Sequence, residues 1–345
     1  MSNHKFPYNW ALKDTLFETN NGSVFSCFAS GGGSSMGYKL AGFDVIGCNE
    51  IDERINRAYV ANNHPIFNFV CDIRKMLTIH LPRELYSLDI LDGSPPCSSF
   101  SMAGERENGW GVEKKFREGQ VKQVLDTLFF DFIALAKRLQ PKVVIAENVK
   151  GILLGDAIQY VRRIYDMFDE ANYYCQHFLL DSSTMGVPQK RERVFFLCLR
   201  KDISTPFLYQ KDLFTQVPYI NVKFKEKPIT CKELDLELGK PLKGFALEDW
   251  ERLKNGEEKK YLQSTLVNIS SVHPTITEGY SEKANPMPEW SPRWLSVNDL
   301  CKVGTFPKDY NFNGIKAHKL IGLSVPPVMM AQISSRVYEY WLSKL

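Results

Sequence analysis

From residue 23 onward the sequence keeps returning to one unit: a short apolar run, a turn, and a stretch with helical spacing. SVFSCF (23–28) leads into ASGGGSSMG, and FDVIGCNEID (43–52) is followed by a helix-like stretch from about Asp52 to Asn62. LDILDG (88–93), KVVIAEN (142–148) and ERVFFLCL (192–199) complete the expected strand set. Between them Gln120–Leu139 places Val124, Leu128, Phe132, Leu135 and Leu139 on one helical stripe. Near-continuous apolar strands alternating with helices of this length predict an α/β fold, doubly wound around a mostly parallel sheet.

The alternation stops near Asp202. From there to about Pro292 prolines are frequent, and no helix-period run exceeds two or three turns. Twelve Lys/Arg stand against eleven Asp/Glu between 201 and 272, so the stretch is charged but balanced. It reads as a second, smaller, loop-rich domain over 203–292. The last stretch, from about Arg293 to Leu345, turns helical again and is expected to rejoin residues 1–202 in the sheet domain. The length of 345 residues suits one large or two modest domains. With 43 Lys+Arg and 40 Asp+Glu the net charge of +3 is too small to announce a polyanion partner, so any nucleic-acid surface must be local. Met1–Asn21 is polar and lacks the apolar stretch of a signal peptide, and no run of about 20 apolar residues suggests a membrane span. The eight cysteines are scattered, without CxxC pairs or a nearby His at zinc spacing, and several lie in apolar runs (Cys27, Cys198). They are expected to be core thiols in a reducing cytoplasm, with no bound metal.

Five features could carry chemistry. The Gly-rich turn after the first strand would set backbone amides and a helix N-terminus at the sheet's carboxyl edge, where doubly wound folds bind nucleotides. Glu50 and Asp72 each follow an apolar strand, where carboxylates could meet ribose hydroxyls and an adenine amino group; either alone could be a solvated strand-end acid. In GSPPCSSFS (93–101) two prolines stiffen the backbone before Cys97, so the thiol belongs to a rigid loop beyond a buried strand. It is either an incidental thiol or a nucleophile activated by nearby cations. Glu147 ends the strand VVIAEN at the same edge, as an acid or merely as a carboxylate near a helix start. PQKRERVFFL (188–197) places Arg191 and Arg193 two apart in an extended segment, suited to an anionic or carbonyl-bearing ligand or to a surface ion-pair ladder.

Taken in order, these strings resemble the C5-cytosine DNA methyltransferases. The resemblance runs from about Val24 to Arg200 and from about Pro274 to the C-terminus, leaving the middle unmatched. FASGGGSSMG, NEID and CDI look like the family's first three motifs. SPPCSSFS looks like the nucleophile loop, TLFFDF the helix after it, ENVKG the glutamate motif and PQKRER the paired-arginine motif. RWLSVNDLCKVGTFPKDY and IGLSVPP look like the two C-terminal ones.

The resemblance implies a Rossmann-like catalytic domain and a target-recognition domain in the middle. It also implies S-adenosylmethionine as methyl donor, with no metal, and double-stranded DNA as substrate. Cys97 would add to cytosine C6, Glu147 would engage N3 and the exocyclic amine, and Arg193, with Arg191 nearby, would hold O2. The target base would be flipped out of the duplex. The cofactor would contact Phe28, Ala29, Gly32, Gly33, Glu50, Ile51, Asp72, Ile73, Pro95, Leu128 and Ser324. Ser30 stands where the family's first motif usually has Gly, and Leu323 replaces the usual Asn. The charged, glycine-bearing stretch 104–122 looks like a loop that closes over flipped DNA. Lys223, Lys225 and Lys227 alternate and could meet phosphates or simply face solvent. A cytoplasmic (in a prokaryote, nucleoid-associated) monomer is expected, protecting DNA in a restriction-modification system beside a cognate endonuclease, or acting alone. Two other readings are a transfer-RNA cytosine methyltransferase, whose Cys-Phe-Thr tripeptide is not seen, and a non-catalytic DNA-binding homologue.

Overall fold

A computed structural model describes residues 4–96, 127–155, 157–212, 215–258, 265–278 and 286–345. Seven strands form the central sheet: β1 (Ser23–Cys27), β2 (Asp44–Glu50), β3 (Phe67–Val70), β4 (Ile90–Gly93), β5 (Val143–Val149), β6 (Tyr173–Asp181) and β8 (Glu192–Arg200). Their spatial order is β3-β2-β1-β4-β5-β8-β6. All neighbours from β3 to β5 run parallel, while β8 pairs antiparallel with both β5 and β6. The order reverses between β1 and β4, so the carboxyl ends of these two strands open a crevice.

The expected strands all form. The expected set was nonetheless incomplete, because β6 and helix α5 (Ala157–Glu170) were absent from it. β6 is an edge strand whose polar residues, such as Gln176 and His177, break up any apolar run. In α5 the buried residues Ala157, Tyr160, Val161, Ile164 and Phe168 follow helical spacing, a signal that was available in the sequence. The stripe read over Gln120–Leu139 becomes α4 (Leu128–Leu139), and residues 120–126 lie outside the described part.

Helices cover both sheet faces. α1 (Gly33–Leu40) and the C-terminal α9 (Pro327–Tyr340) share one apolar cluster with Val24, Val45, Ile145 and Leu197. α4 and α5 cover the other face, where Phe129, Phe132, Ile164 and Phe168 meet Phe25, Leu91, Val144 and Phe196. The C-terminal α9 therefore packs against the sheet. Asp52 caps α2 (Glu53–Asn63) by accepting from the amides of Arg54 (2.9 Å) and Ile55 (3.2 Å). Asp72 caps the short α3 (Ile73–Met76) in the same way through Arg74 N.

The middle stretch is built of short pieces. A two-residue strand β7 (Gln189–Lys190) pairs with β12 (His273–Pro274), β9 (Leu208–Gln210) with β10 (Gln216–Pro218), and β11 (Thr265–Val267) with β13 (Pro286–Pro288). Leu242, Ala246 and Met287, with Trp250 from α6 (Phe245–Lys254), make a small core of their own. Residues such as Ile220 and Val222 instead join the core beside the sheet. Ile229, Leu234 and Ile276 pack with α7 (Val297–Gly304) and α8 (Ala317–Leu323). No described helix is long and apolar enough to cross a membrane.

Candidate active site

The Gly-rich turn after β1 is held from three sides. Ser30 donates its backbone N–H to Glu50 Oε2 at 2.9 Å, and the other Glu50 oxygen accepts from Asp52 N at 2.9 Å. Tyr310 OH donates to the carbonyl of Gly31 at 2.8 Å, bringing the C-terminal segment onto the turn. Gly32 adopts φ 77°, in the left-handed region that glycine enters without strain, and starts α1. A Cβ on Gly33 would lie 2.1 Å from the carbonyl oxygen of Val325, so only glycine admits this contact. Ser30 is at φ 47° with its Oγ buried and without a hydrogen-bond partner among the described residues, so the departure from glycine carries local strain.

The expected cofactor residues lie on this turn, at neighbouring strand ends and at the starts or ends of helices. Phe28 is half-buried and stacks at a tilt on Phe132 of α4, with ring centroids 6.5 Å apart. Ala29 is buried against Cys48 and Tyr59. Glu50 ends β2, and the next residue, Ile51, leaves 38% of its surface exposed, an apolar patch beside a carboxylate. Asp72 lies two residues past β3, accepting from the guanidinium of Arg74 at 2.9 and 2.6 Å, and Ile73 behind it is buried. Pro95 follows β4, Leu128 opens α4, and both are buried. Ser324 is buried with its hydroxyl donating to Leu320 O at 2.8 Å, so its side chain braces the last helices.

These residues fit S-adenosylmethionine. A turn of backbone amides, a carboxylate at the adjoining strand end and an exposed apolar residue beside it suit, in that order, a charged amino-acid tail, a ribose and a flat purine.

The catalytic side of the crevice lies across β4 and β5. Glu147 Oε1 and Arg193 Nε form an ion pair at 2.9 Å, both side chains largely buried. The antiparallel register of β5 and β8 causes it: Val149 pairs with Arg193 and Glu147 with Phe195, so both side chains emerge at the same end of the sheet. Burial lowers the Arg193 pKa and the Glu147 charge opposes that, and a guanidinium stays protonated throughout. Arg191 has different partners. It is buried and donates to the carbonyls of Ile276 (3.1 Å) and Gly322 (3.0 Å). It thus ties β8's start to the middle stretch and to α8, while Arg193 alone pairs with the acid. Next to Glu147, Asn148 Nδ2 donates to Pro95 O at 3.3 Å, lacing the glutamate strand to the backbone two residues before Cys97 in sequence. Cys97 and the stretch 104–122 lie outside the described residues.

One buried acid escaped sequence reading. Asp92, in β4 two residues before Ser94, is wholly buried and accepts from Ser26 Oγ (2.7 Å) and Tyr38 OH (3.1 Å). A lone acid inside LDILDG was the available signal. Burial pushes its carboxyl up to about 7, the two hydroxyls hold it down, and the charge of Glu147 adds to the rise. A raised pKa means the folded chain keeps a proton that the unfolded chain loses between about pH 4 and 7. Wild-type stability relative to Asp92→Asn should therefore fall as pH rises through that window, by up to roughly 4 kcal/mol. Urea unfolding of both proteins at pH 5 and pH 8 reads this directly; a gap independent of pH would show that Asp92 ionises normally.

The profile of the C-5 cytosine-specific DNA methylases matches residues 22–339. The chain belongs to that family. It is 27% identical to the type II methyltransferase M.NgoPII of Neisseria gonorrhoeae, over 91% of this chain and 94% of that protein. It is likewise 27% identical to M.HindV of Haemophilus influenzae, over 91% and 95%. A prophage-encoded putative DNA modification methyltransferase from E. coli superposes with a TM-score of 0.65 at 20% identity, covering 92% of this chain and 99% of that one. The Rossmann-like methyltransferase fold is thereby established for this member of the family.

Proposed function

We propose that this chain is a site-specific DNA cytosine C5 methyltransferase of restriction-modification type, with S-adenosylmethionine as methyl donor. The observation that carries the reading is the buried Glu147–Arg193 pair, laced through Asn148 to Pro95, two residues before Cys97 in sequence, and facing the same edge as the glycine turn. The names of its relatives, type II methyltransferases, support the restriction-modification setting.

Cytosine C5 is a poor nucleophile, so the ring must first be activated. Cys97 as thiolate adds to C6 and drives electron density toward C5. Glu147 supports the developing charge at N3 and the exocyclic amine, and Arg193 holds Glu147 in place and reaches O2. S-adenosylmethionine, when bound, offers C5 a methyl group on a positively charged sulfur. Loss of the C5 proton then expels Cys97 and restores the ring. The base must leave the duplex to reach this edge, at a few kcal/mol of unstacking. Arg191 acts as a positioning residue, holding the walls at Ile276 and Gly322. Phe28 and Ile51 flank the adenine, Glu50 takes the ribose hydroxyls, and Asp72 the adenine amino group. Ala29, Gly32, Gly33, Ile73, Pro95, Leu128 and Ser324 shape the remainder. Target recognition falls to 203–292, and the catalytic domain comprises 1–202 and 293–345.

The test is transfer of tritiated methyl from S-adenosylmethionine to unmethylated genomic DNA, with transfer RNA in parallel and bisulfite sequencing of the product. Label in DNA at one recurring sequence is expected. Label only in RNA would replace the DNA reading, and DNA binding with no label in either would mark a non-catalytic homologue.

A further inference from the structure

Along the outer edge of the sheet a groove of about 900 Å³ runs between β6 and residues 219–225. His177, Phe178, Tyr209, Tyr219, Lys223 and Lys225 are among its walls. The strand register gives its direction. Leu180 pairs with Arg193 and Asp181 with Glu192, so the groove's upper end lies one strand from the Glu147–Arg193 pair. Of the three alternating lysines, Lys227 is spent on Glu233 at 3.1 Å. Lys223 and Lys225 are exposed on the groove and have no acidic partner among the described residues. The carboxylate among the lining residues, Asp181, accepts from Ser183 N at 3.0 Å.

We propose that this groove is a second DNA contact, gripping the phosphate backbone of the duplex that flanks the target cytosine. The inference rests on the DNA reading above. Lysine ammoniums and tyrosine hydroxyls are the groups that position a phosphate backbone without reading sequence. Tyr209 and Tyr219, 40% and 49% exposed, bring such hydroxyls to the groove. Their rings meet edge to face at 5.4 Å, which covers one face and suits phosphate contact better than base stacking. A peptide adding to the edge of β6 is disfavoured, because the facing run is already tied across it. Gln176 Nε2 donates to Pro218 O at 2.7 Å at one end, and Glu226 N to Thr184 O at 3.0 Å at the other.

The experiment measures duplex affinity against salt concentration for wild type and Lys223→Ala/Lys225→Ala, on duplexes of about 11 and about 33 base pairs, one and three helical turns. Each neutralised phosphate adds about one to the slope of log affinity against log salt. On the long duplex the variant's slope should fall by about 2, while the short duplex and the melting temperature stay unchanged. An unchanged slope overturns the proposal, as does a loss confined to single-stranded DNA or to competition by polyglutamate. Methyl transfer to the short duplex is followed in parallel. A lysine-dependent slope without methyl transfer would sink the catalytic reading and leave the groove standing, whereas normal transfer with an unchanged slope would do the reverse.

Discussion

Cys97→Ala is expected to abolish methyl transfer, and Glu147→Gln to lower it by about two to three orders of magnitude, each with S-adenosylmethionine binding retained. The two substitutions remove different things. Alanine takes away the atom that bonds to C6, so no covalent adduct can form. Glutamine keeps an oxygen to accept from Arg193 Nε, 2.9 Å away in the wild type, but loses the acid proton that N3 needs as electron density moves into the ring. DNA carrying 5-fluorocytosine separates them. Fluorine cannot leave C5 as a proton does, so the elimination that frees the cysteine is blocked and the adduct accumulates. Wild type should give a denaturation-stable protein–DNA complex, Cys97→Ala none, and Glu147→Gln the same complex formed slowly. A stable adduct with Cys97→Ala would assign the nucleophile elsewhere. Full-rate transfer by Glu147→Gln would reduce the Glu147–Arg193 pair to a structural one.

The second large effect falls on the cofactor side and on stability together. Gly33→Ala would set a Cβ 2.1 Å from the carbonyl oxygen of Val325 and 2.9 Å from Ser324 Cβ. Neither is the free end of a flexible side chain, so the start of α1 or the segment before α9 has to move. Overpacking of this kind costs about 3 kcal/mol, a fall in melting temperature of roughly 4 °C for a chain of this size. The same shift displaces the turn whose Ser30 amide is held by Glu50, so S-adenosylmethionine affinity should drop at least tenfold. Calorimetric titration and thermal unfolding of the variant measure both. Unaltered melting and affinity would mean that the two segments separate at no cost, and that Gly33 is required by neither the fold nor the ligand.

Much of this site can be read from the chain alone, and for a physical reason. β1, β2, β4, β5 and most of β8 are buried on both faces, so their residues are mostly apolar, with buried exceptions such as Ser26 and Asp92 hydrogen-bonded to each other, and in β2 and β5 the apolar run gives way to polar residues at the carboxyl edge. The acids that close those apolar runs, Glu50 in β2 and Glu147 in β5, are thereby marked without any knowledge of packing. The glycines of the turn are legible in the same way, since few backbones need three in a row. β6 escaped because an edge strand is free to carry polar residues such as Gln176 and His177, and α5 because its stripe was passed over.

What the sequence by itself determined, then, is the order of strands and turns and the identity of the groups at their ends. Which of those groups meet was decided only by the tertiary structure. Arg191 and Arg193 look equivalent in PQKRER, yet one binds the carbonyls of Ile276 and Gly322 and the other binds Glu147. Asp92 is one letter in an apolar run until β1 and α1 bring Ser26 and Tyr38 to it. Lys223, Lys225 and Lys227 are alike until Glu233 neutralises the last. Strand order, antiparallel register and long-range pairing depend on loops closing over tens to hundreds of residues. No local pattern encodes that, because the entropy of closure is offset only when all the contacts form together.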